Sequence, residues 1–424
     1  MPCPYTPRVR VLVLGSGGRE HALVRALSND PVVSALHCAP GNAGTAELAD
    51  NHVLDPTDPV AVVELAGRLR PTLVVIGPEA PLIAGVADAL RRAGIPCFGP
   101  DGEAARIEGS KAFAKEIMSA AGVPTAAARV CENGGQVEEA LDEFGAPYVV
   151  KDDGLAAGKG VVVTSDRAEA LRHAEACDRV VVEEYLDGPE ISLFAVSDGM
   201  HAVPLLPAQD FKRAFDHDEG PNTGGMGAYT PLPWLPDGFV DEVMTTVVQP
   251  AIDELRRRGT PYVGVLYAGL ALTARGIKVV EFNARFGDPE TQVVLDRLAT
   301  PLAALLQSCA IGGLDPGLRP EWRPGAAVGV VIAAENYPAD PVKGDVIEGL
   351  DEAGAVPGAY VLHAGTKRDH EGRVLAAGGR VLTVVGTGAD LAAARATAYE
   401  AAGKIRMRGM HLRTDIAAKA AQPV

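Results

Sequence analysis

An α/β protein of several domains is what the sequence predicts: an N-terminal parallel sheet with helices on both faces, a central α+β region bearing a glycine-rich flap, and a small C-terminal α/β domain. Three observations carry this. Strand-like apolar runs alternate with helical patterns through the first hundred residues, which implies a parallel sheet. Residues 148–164 then read as strand, glycine-rich turn, strand, the pattern of a hairpin flap. Pro324-Gly325 breaks the periodicity before a last set of short strands and one helix. At 424 residues the chain is too long for one compact core, so two to four domains are expected. The boundaries read as 1–109, 110–323 (with the flap subdomain at about 123–190) and 324–424.

Composition narrows the function classes. A net charge of −16 argues against nucleic acid as a partner, though not against phosphorylated small molecules, which need only a local positive pocket. No run approaches the roughly 18 apolar residues of a membrane helix, and no apolar signal core precedes the first strand, so a cytoplasmic protein with no membrane partner is expected. The six cysteines lack CxxC spacing or companion histidines, which disfavours zinc and disulfides.

Taken in order, Val9–Leu14 is a strand, followed by Gly15-Ser16-Gly17-Gly18-Arg19-Glu20 and a helix through Ala26. Strand, glycine turn and helix make a phosphate cradle of free N–H groups. Glu20 stands where the dinucleotide fingerprint needs glycine, so a nicotinamide enzyme is the weaker reading and Arg19 suits a monophosphate. Val32–Cys38 and Thr72–Ile76 are strands. They end in the loops Pro40–Thr45, with Asn42, and Gly77–Leu82, with Glu79. Each could be a plain turn, but their shared place at strand carboxyl ends favours a site. Helices are expected at Asp58–Arg70 and Ile83–Ala93, and a short strand at Ile95–Phe98.

In the centre, Gly109–Gly122 reads as a helix with Lys111 and Lys115, and Gly134-Gly135 as a surface loop. Tyr148–Lys151 leads into Asp152-Asp153-Gly154-Leu155-Ala156-Ala157-Gly158-Lys159-Gly160. This is not a Walker loop: three residues separate the glycines, Gly160 replaces the Ser or Thr, and no helix follows. As a flap with Lys151 at its base and Lys159 at its tip, it suits closure over phosphates. The strand Val180–Val182 runs into Glu183–Glu190, an extended hinge able to offer its backbone to an adenine edge. Strands follow at Ile191–Val196 and His201–Leu206. Gln209–Arg213 and Asp216–Thr230 read as a long structureless binding loop, and Phe239–Arg258 as an amphipathic helix. In Ile277–Asn283 alternation places Val280, Phe282 and Ala284 on one face and Glu281, Asn283 and Arg285 on the other. A carboxylate and an amide two residues apart make half a cage for Mg²⁺, Arg285 beside them suits a carboxylate or phosphate, and the alternative is an ordinary exposed polar face. Asp288 reads as the N-cap of the next helix with Pro289 first in it. In the tail, Ala326–Ala334 is a strand and Ala389–Ala402 a helix; His363 and the Arg406-Arg408-His411-Arg413 group read as a solvated or packing face.

Six motifs now stand in order: GSGGREHAL (Gly15–Leu23), PGNAGT (Pro40–Thr45), GPEAPL (Gly77–Leu82), Lys151 with DGLAAGKG (Asp153–Gly160), PNTGGMGAY (Pro221–Tyr229) and EFNARFGDPETQ (Glu281–Gln292). Over essentially its whole length the chain resembles the phosphoribosylamine–glycine ligases (glycinamide ribonucleotide synthetases), ATP-grasp enzymes of purine biosynthesis. The resemblance implies a Rossmann-like N-terminal domain, ATP-grasp central domains, and ATP, glycine and 5-phosphoribosylamine as small-molecule substrates. It implies Glu281 and Asn283 as ligands of Mg²⁺, with Mn²⁺ as an alternative, and Lys111, Lys151 and the flap (Gly154, Gly158, Lys159, Gly160) as ATP phosphate binders. Glu184, Tyr185 and Leu186 would lie at the adenine and Glu190 at the ribose. Gly17, Gly18, Arg19, Glu20, Asn42 and Glu79 would hold phosphoribosylamine. Arg285 with Asp210 and Lys212 would face glycine or the transferred phosphate, and Lys151 shares the catalytic role. Asp152 stands where the family usually has alanine, Phe211 where histidine or tyrosine is common, and Asn336 and Ala417 where glycine is usual. Another ATP-grasp carboxylate–amine ligase, or a catalytically silent nucleotide-binding regulator, are the competing readings. The sequence leaves the oligomeric state open, with a monomer as the default.

Overall fold

The computed structural model describes residues 8–154 and 160–422. Near the N-terminus, five strands form a parallel sheet in the order Asp50–Asn51, Val33–Pro40, Val9–Gly15, Leu73–Ile76, Cys97–Phe98. Apart from the exposed Arg10, the strands Val9–Gly15 and Leu73–Ile76 are apolar and buried, as a sheet covered on both faces requires. Helices Gly18–Ser28 and Pro59–Leu69 follow the first two long strands, the second capped by Asp58, whose carboxylate accepts from the Val60 and Ala61 amides.

The central region holds two antiparallel sheets. One, the flap subdomain, orders Ala128–Cys131, Val180–Glu183, Tyr148–Asp152 and Val161–Thr164. Helices Gly134–Phe144 and Arg167–Glu175 pack on it through Val137, Ala140, Leu141 and Ala170. Gly134 and Gly135 thus open a helix instead of forming the expected loop, because Asn133 accepts the Gln136 amide at 3.1 Å and caps it. The other sheet orders Ala202–Pro204, Glu190–Asp198, Val263–Thr273 and Gly276–Asn283. Against it lies the expected long helix, Phe239–Val243 continuing through a π turn, Met244–Val248, into Gln249–Arg257. The helix expected over Gly109–Gly122 is observed as Lys111–Ala120; a separate helix, Gly102–Gly109, precedes it, parted from it at Ser110, whose hydroxyl accepts the Phe113 amide at 3.1 Å.

The stretch 209–230 departs most from expectation. Gln209–Asp210 and Gly227–Thr230 are strands, and Gly227–Thr230 pairs with Ala326–Ala333. The resulting five-stranded sheet continues through Arg380–Gly388 to Ala359–His363, with helix Leu391–Ala402 packed on it. The partner strand lies about a hundred residues away, so no local pattern reveals the pairing. Asn336 (φ 70°) and Ala417 (φ 58°) occupy the left-handed region, a conformation that suits the glycine which the resemblance implies at both. No helix among the described residues is long and apolar enough to cross a membrane.

Candidate active site

The two central sheets and the C-terminal five-stranded sheet converge on one cleft of about 1410 Å³. Its floor is the end of strand Gly276–Asn283. Here the pairing register slips, Gly269 opposing Glu281 and Leu270 opposing Val279, so that Val280 is an extra residue. This bulge corrects the expected alternation. Ile277 and Val279 face the core before it, Phe282 and Ala284 after it, and Val280 joins Glu281 on the cleft side. The Val280 carbonyl accepts from Lys151 Nζ at 3.0 Å, an anchor a regular strand would not present there.

Glu281 and Asn283 remain neighbours, Nδ2 to Oε1 at 3.5 Å, and Arg285 Nη2 lies 3.5 Å from Asn283 Oδ1. Burial opposes the Glu281 charge, yet Lys212 and Lys151 outweigh it and hold its carboxyl below the ordinary range. Among the described residues no group of three or more His, Cys, Asp and Glu could enclose a metal ion. One carboxylate and one amide oxygen facing a cleft fit a cation completed by phosphate and water, as Mg²⁺ prefers.

Cations surround this pair. Lys151, 4% exposed, is bound to Glu183 at 2.8 Å, and Glu183 also takes Lys115 at 3.1 Å. Burial lowers the Lys115 ammonium against that pull, and lowers Lys111 against Glu281. Lys111 Nζ donates to the Gly154 carbonyl at 2.9 Å, tying helix Lys111–Ala120 to the flap base. Lys212 pairs with Glu190; burial works against its charge, but Glu190, Asp210 and Glu281 raise it. Asp210 is pushed up to about 7 by burial, with Lys212 opposing. Arg285 is gripped by Glu79 at 3.2 Å and Glu108 at 3.0 Å, and the Ala284 amide donates to Glu108 at 2.7 Å. Burial resists the Glu79 charge, but Arg285 and Arg19 keep that carboxyl low.

Arg19, Glu79, Lys111, Lys151, Gly154, Gly160, Glu184, Tyr185, Leu186, Glu190, Asp210, Lys212, Glu281, Asn283 and Arg285 all line the cleft, whereas Gly17, Gly18, Glu20 and Asn42 do not. Gly158 and Lys159 lie outside the described residues. The Glu184 carboxylate is turned to Arg275 (2.8 Å) and the Ala127 amide (3.1 Å), and its own amide donates to the Ala127 carbonyl at 2.9 Å, which ties the residue to the flap sheet. The N-terminus of helix Gly18–Ser28 is not the open phosphate cradle that its glycines suggest. Glu20 takes the Gly17 amide at 2.5 Å and Asp288 the Arg19 amide at 3.3 Å, two carboxylates at the positive end of the helix. Asp288 is thereby not an N-cap. Pro289 holds that place, and Asp288 instead takes the Gln292 amide at 2.7 Å and faces Arg380 at 3.5 Å. Asn42 ties loops together, its amide donating to the carbonyls of Ser16 and His363 at 2.8 Å.

That junction contains two imidazoles. The His363 amide donates to His21 Nδ1 at 2.8 Å, the rings lie 5.7 Å apart, and burial depresses them to about 3 (His21) and about 4 (His363). Arg413, expected on a solvated or packing face, is fully buried. It donates to Asp218 and Asp415 at 2.8 and 2.7 Å and to the Arg213 carbonyl at 3.1 Å, and lies 5.0 Å from the Phe211 ring. The C-terminal segment thus grips both neighbours of Lys212.

Sequence reasoning missed Glu183, Glu108, Glu290 and Arg380. Glu183 was visible only as the first of two glutamates ending a strand, and Glu290 only as part of a turn.

Comparison with known proteins accounts for this arrangement. Three family models match in succession: the N domain of phosphoribosylglycinamide synthetase at residues 9–108, its ATP-grasp (A) domain at 109–291 and its C domain at 327–419. The chain is 65% identical to the phosphoribosylamine–glycine ligase of Streptomyces coelicolor, over 97% of this chain and 100% of that one. It is 57% identical to that of Mycobacterium bovis, over 98% and 99%. The crystal structure of the Thermotoga maritima phosphoribosylamine–glycine ligase superposes with a TM-score of 0.82 at 35% identity, covering 96% of this chain and all of that one. The biotin carboxylase domain of the Hydrogenobacter thermophilus 2-oxoglutarate carboxylase, solved with MgADP, shares the fold at a TM-score of 0.74 and 17% identity, covering 96% and 92%. Matched along its length by all three domains in order, the chain belongs to the phosphoribosylglycinamide synthetase family, the ATP-grasp ligases that join glycine to phosphoribosylamine in purine biosynthesis.

Proposed function

We propose that the cleft ligates glycine to 5-phosphoribosylamine, giving glycinamide ribonucleotide, ADP and phosphate, through a glycyl phosphate. The observation that carries this is the meeting of Lys111, Lys151 and Lys212 with the Glu281–Asn283 pair and Arg285 in one cleft. A carboxylate is too stable an anion for direct attack by an amine. Phosphorylation gives it a leaving group, and positioning with charge neutralisation is the protein's task.

In this reading Lys111, Lys151 and the flap, with Lys159 and Gly158, hold the ATP phosphates, the Glu184–Leu186 backbone the adenine and Glu190 the ribose. Glu281 and Asn283 would hold Mg²⁺ (Mn²⁺ as the alternative), which when bound neutralises charge on the terminal phosphates. Arg285, fixed by Glu79 and Glu108, orients the glycine carboxylate toward the γ phosphorus, with Asp210 and Lys212 beside it. Arg19 and Glu79 contribute the phosphoribosylamine side of the cleft. The working divisions are 1–109, 110–323 and 324–424, in a monomer acting in the cytoplasm on small molecules alone.

The test supplies glycine labelled with heavy oxygen in its carboxylate. ADP should form only when glycine and phosphoribosylamine are both present, and one labelled oxygen should appear in phosphate. AMP and pyrophosphate, or unlabelled phosphate, would refute the route.

A further inference from the structure

We propose that Glu290, with Asp210, anchors the ammonium group of glycine and so determines specificity for this substrate. The inference rests on the ligation reading above and assigns a residue which that reading leaves without a role.

Glu290 is only 3% exposed, yet it lines the cleft. One carboxylate oxygen is fixed by two hydroxyls: Oε1 lies 2.6 Å from that of Tyr267 and 3.0 Å from that of Ser192, and the hydroxyls, 2.7 Å apart, share their two protons among these three contacts. Among the described residues no hydrogen bond reaches Oε2. The backbone makes room for that second oxygen: a Cβ on Gly287 would sit 2.5 Å from it and 3.0 Å from the Tyr267 ring. The cations nearby are committed elsewhere, Arg285 to Glu79 and Glu108, and Lys212 to Glu190. A carboxylate held at this depth without a cationic partner calls for a cation from the ligand. Asp210 lines the same cleft, close enough for its carboxylate and that of Glu290 to repel each other.

The ligand must therefore present an anion to Arg285 and a cation to Glu290 within a small compass. A zwitterionic amino acid without a side chain does both. The chemistry gains as well: glycine nitrogen kept as ammonium has no lone pair. The nitrogen of phosphoribosylamine then stays the nucleophile that attacks the acyl carbon, expelling phosphate and losing its proton.

Glu290→Gln retains the shape and both hydroxyl bonds but removes the charge. Its KM for glycine should rise by about tenfold or more, as loss of a desolvated charge pair does. The KM values for ATP and phosphoribosylamine should stay within about threefold, as should inhibition by acetate, which keeps the carboxylate and lacks the ammonium. An unchanged KM for glycine, an equal loss of acetate binding, or a raised requirement for phosphoribosylamine or Mg²⁺ in place of glycine would overturn the assignment. Should the variant fail to fold, the wild-type protein with ATP decides. Glycine should protect against thermal unfolding at about a tenth or less of the acetate or glycolate concentration needed, and equal protection would overturn the proposal. A wild-type protein that turns over no glycine at all would instead refute the ligation on which this rests.

Discussion

Lowering the pH from 7.5 to 5 should destabilise the fold through two buried histidines, with Asp210 opposing them in part. His21 and His363 are buried and neutral, held at about 3 and about 4, against about 6.5 in an unfolded chain. With the folded values below the unfolded one, the unfolded state binds more protons between pH 6.5 and about 4, and stability falls as pH falls through that window. At pH 5 each imidazole costs about 2 kcal/mol, so the pair costs about 4 kcal/mol, a large share of the roughly 5–15 kcal/mol of a typical domain. Two protons correspond to about 2.7 kcal/mol per pH unit, but Asp210, held at about 7, takes up one in the folded state over the same range, so the net slope should approach about 1.4 kcal/mol per pH unit. Geometry supports the sign independently: His21 Nδ1 accepts the His363 amide, which a protonated ring cannot do. Burial also lowers His37, which adds in the same direction. The measurement is urea unfolding at pH 7.5, 6 and 5, with His363→Gln expected to remove about half of the histidine contribution. Stability flat across this range, or native-state NMR titration of both rings near 6.5, would refute the reasoning.

Other expectations follow from the cleft. Glu281→Gln keeps the shape of the metal pair but not its charge, so turnover should drop about a hundredfold or more, about 2.7 kcal/mol, with folding intact; near-normal activity at limiting Mg²⁺ would exclude Glu281 as a ligand. Asp152, whose side chain lies beside Cys177 and is not among the residues lining the cleft, should tolerate Asp152→Ala with the KM for ATP changed by less than about threefold, under about 0.7 kcal/mol; tenfold tighter ATP binding would mean that it faces the phosphates. Glu183→Gln strips the partner from both Lys115 and Lys151 and should cost about 3–5 kcal/mol in unfolding experiments. ATP should stabilise that variant more than the wild type, since phosphates replace the lost charge, and equal stabilisation would show that Lys151 does not meet them.

Much of this site was legible because the periodicity is local. Glu281 and Asn283 announce themselves by strand spacing, and the flap by its glycines between two valine-rich runs. What stayed hidden depends on distant partners. The bulge at Val280 exists only against Val263–Thr273, and the closed N-terminus of helix Gly18–Ser28 needs Asp288 from far along the chain. Glu108 looks like any helical glutamate until Arg285 folds onto it. Arg413 lies among other charged residues, and only the packed structure shows it buried beneath Phe211.

The sheet that joins Gly227–Thr230 to Ala326–Ala333 has a consequence for the order in which the protein can be made. On a ribosome adding about 5–20 residues per second, the earlier strand emerges some 5–20 seconds before its partner. Throughout that interval the segment bearing Asp210 and Lys212 has no neighbour on one side, and an open strand edge invites pairing with other chains. The two central sheets can therefore fold before strand Gly227–Thr230 has its partner. A chain arrested near residue 323 would be both inactive and prone to aggregate.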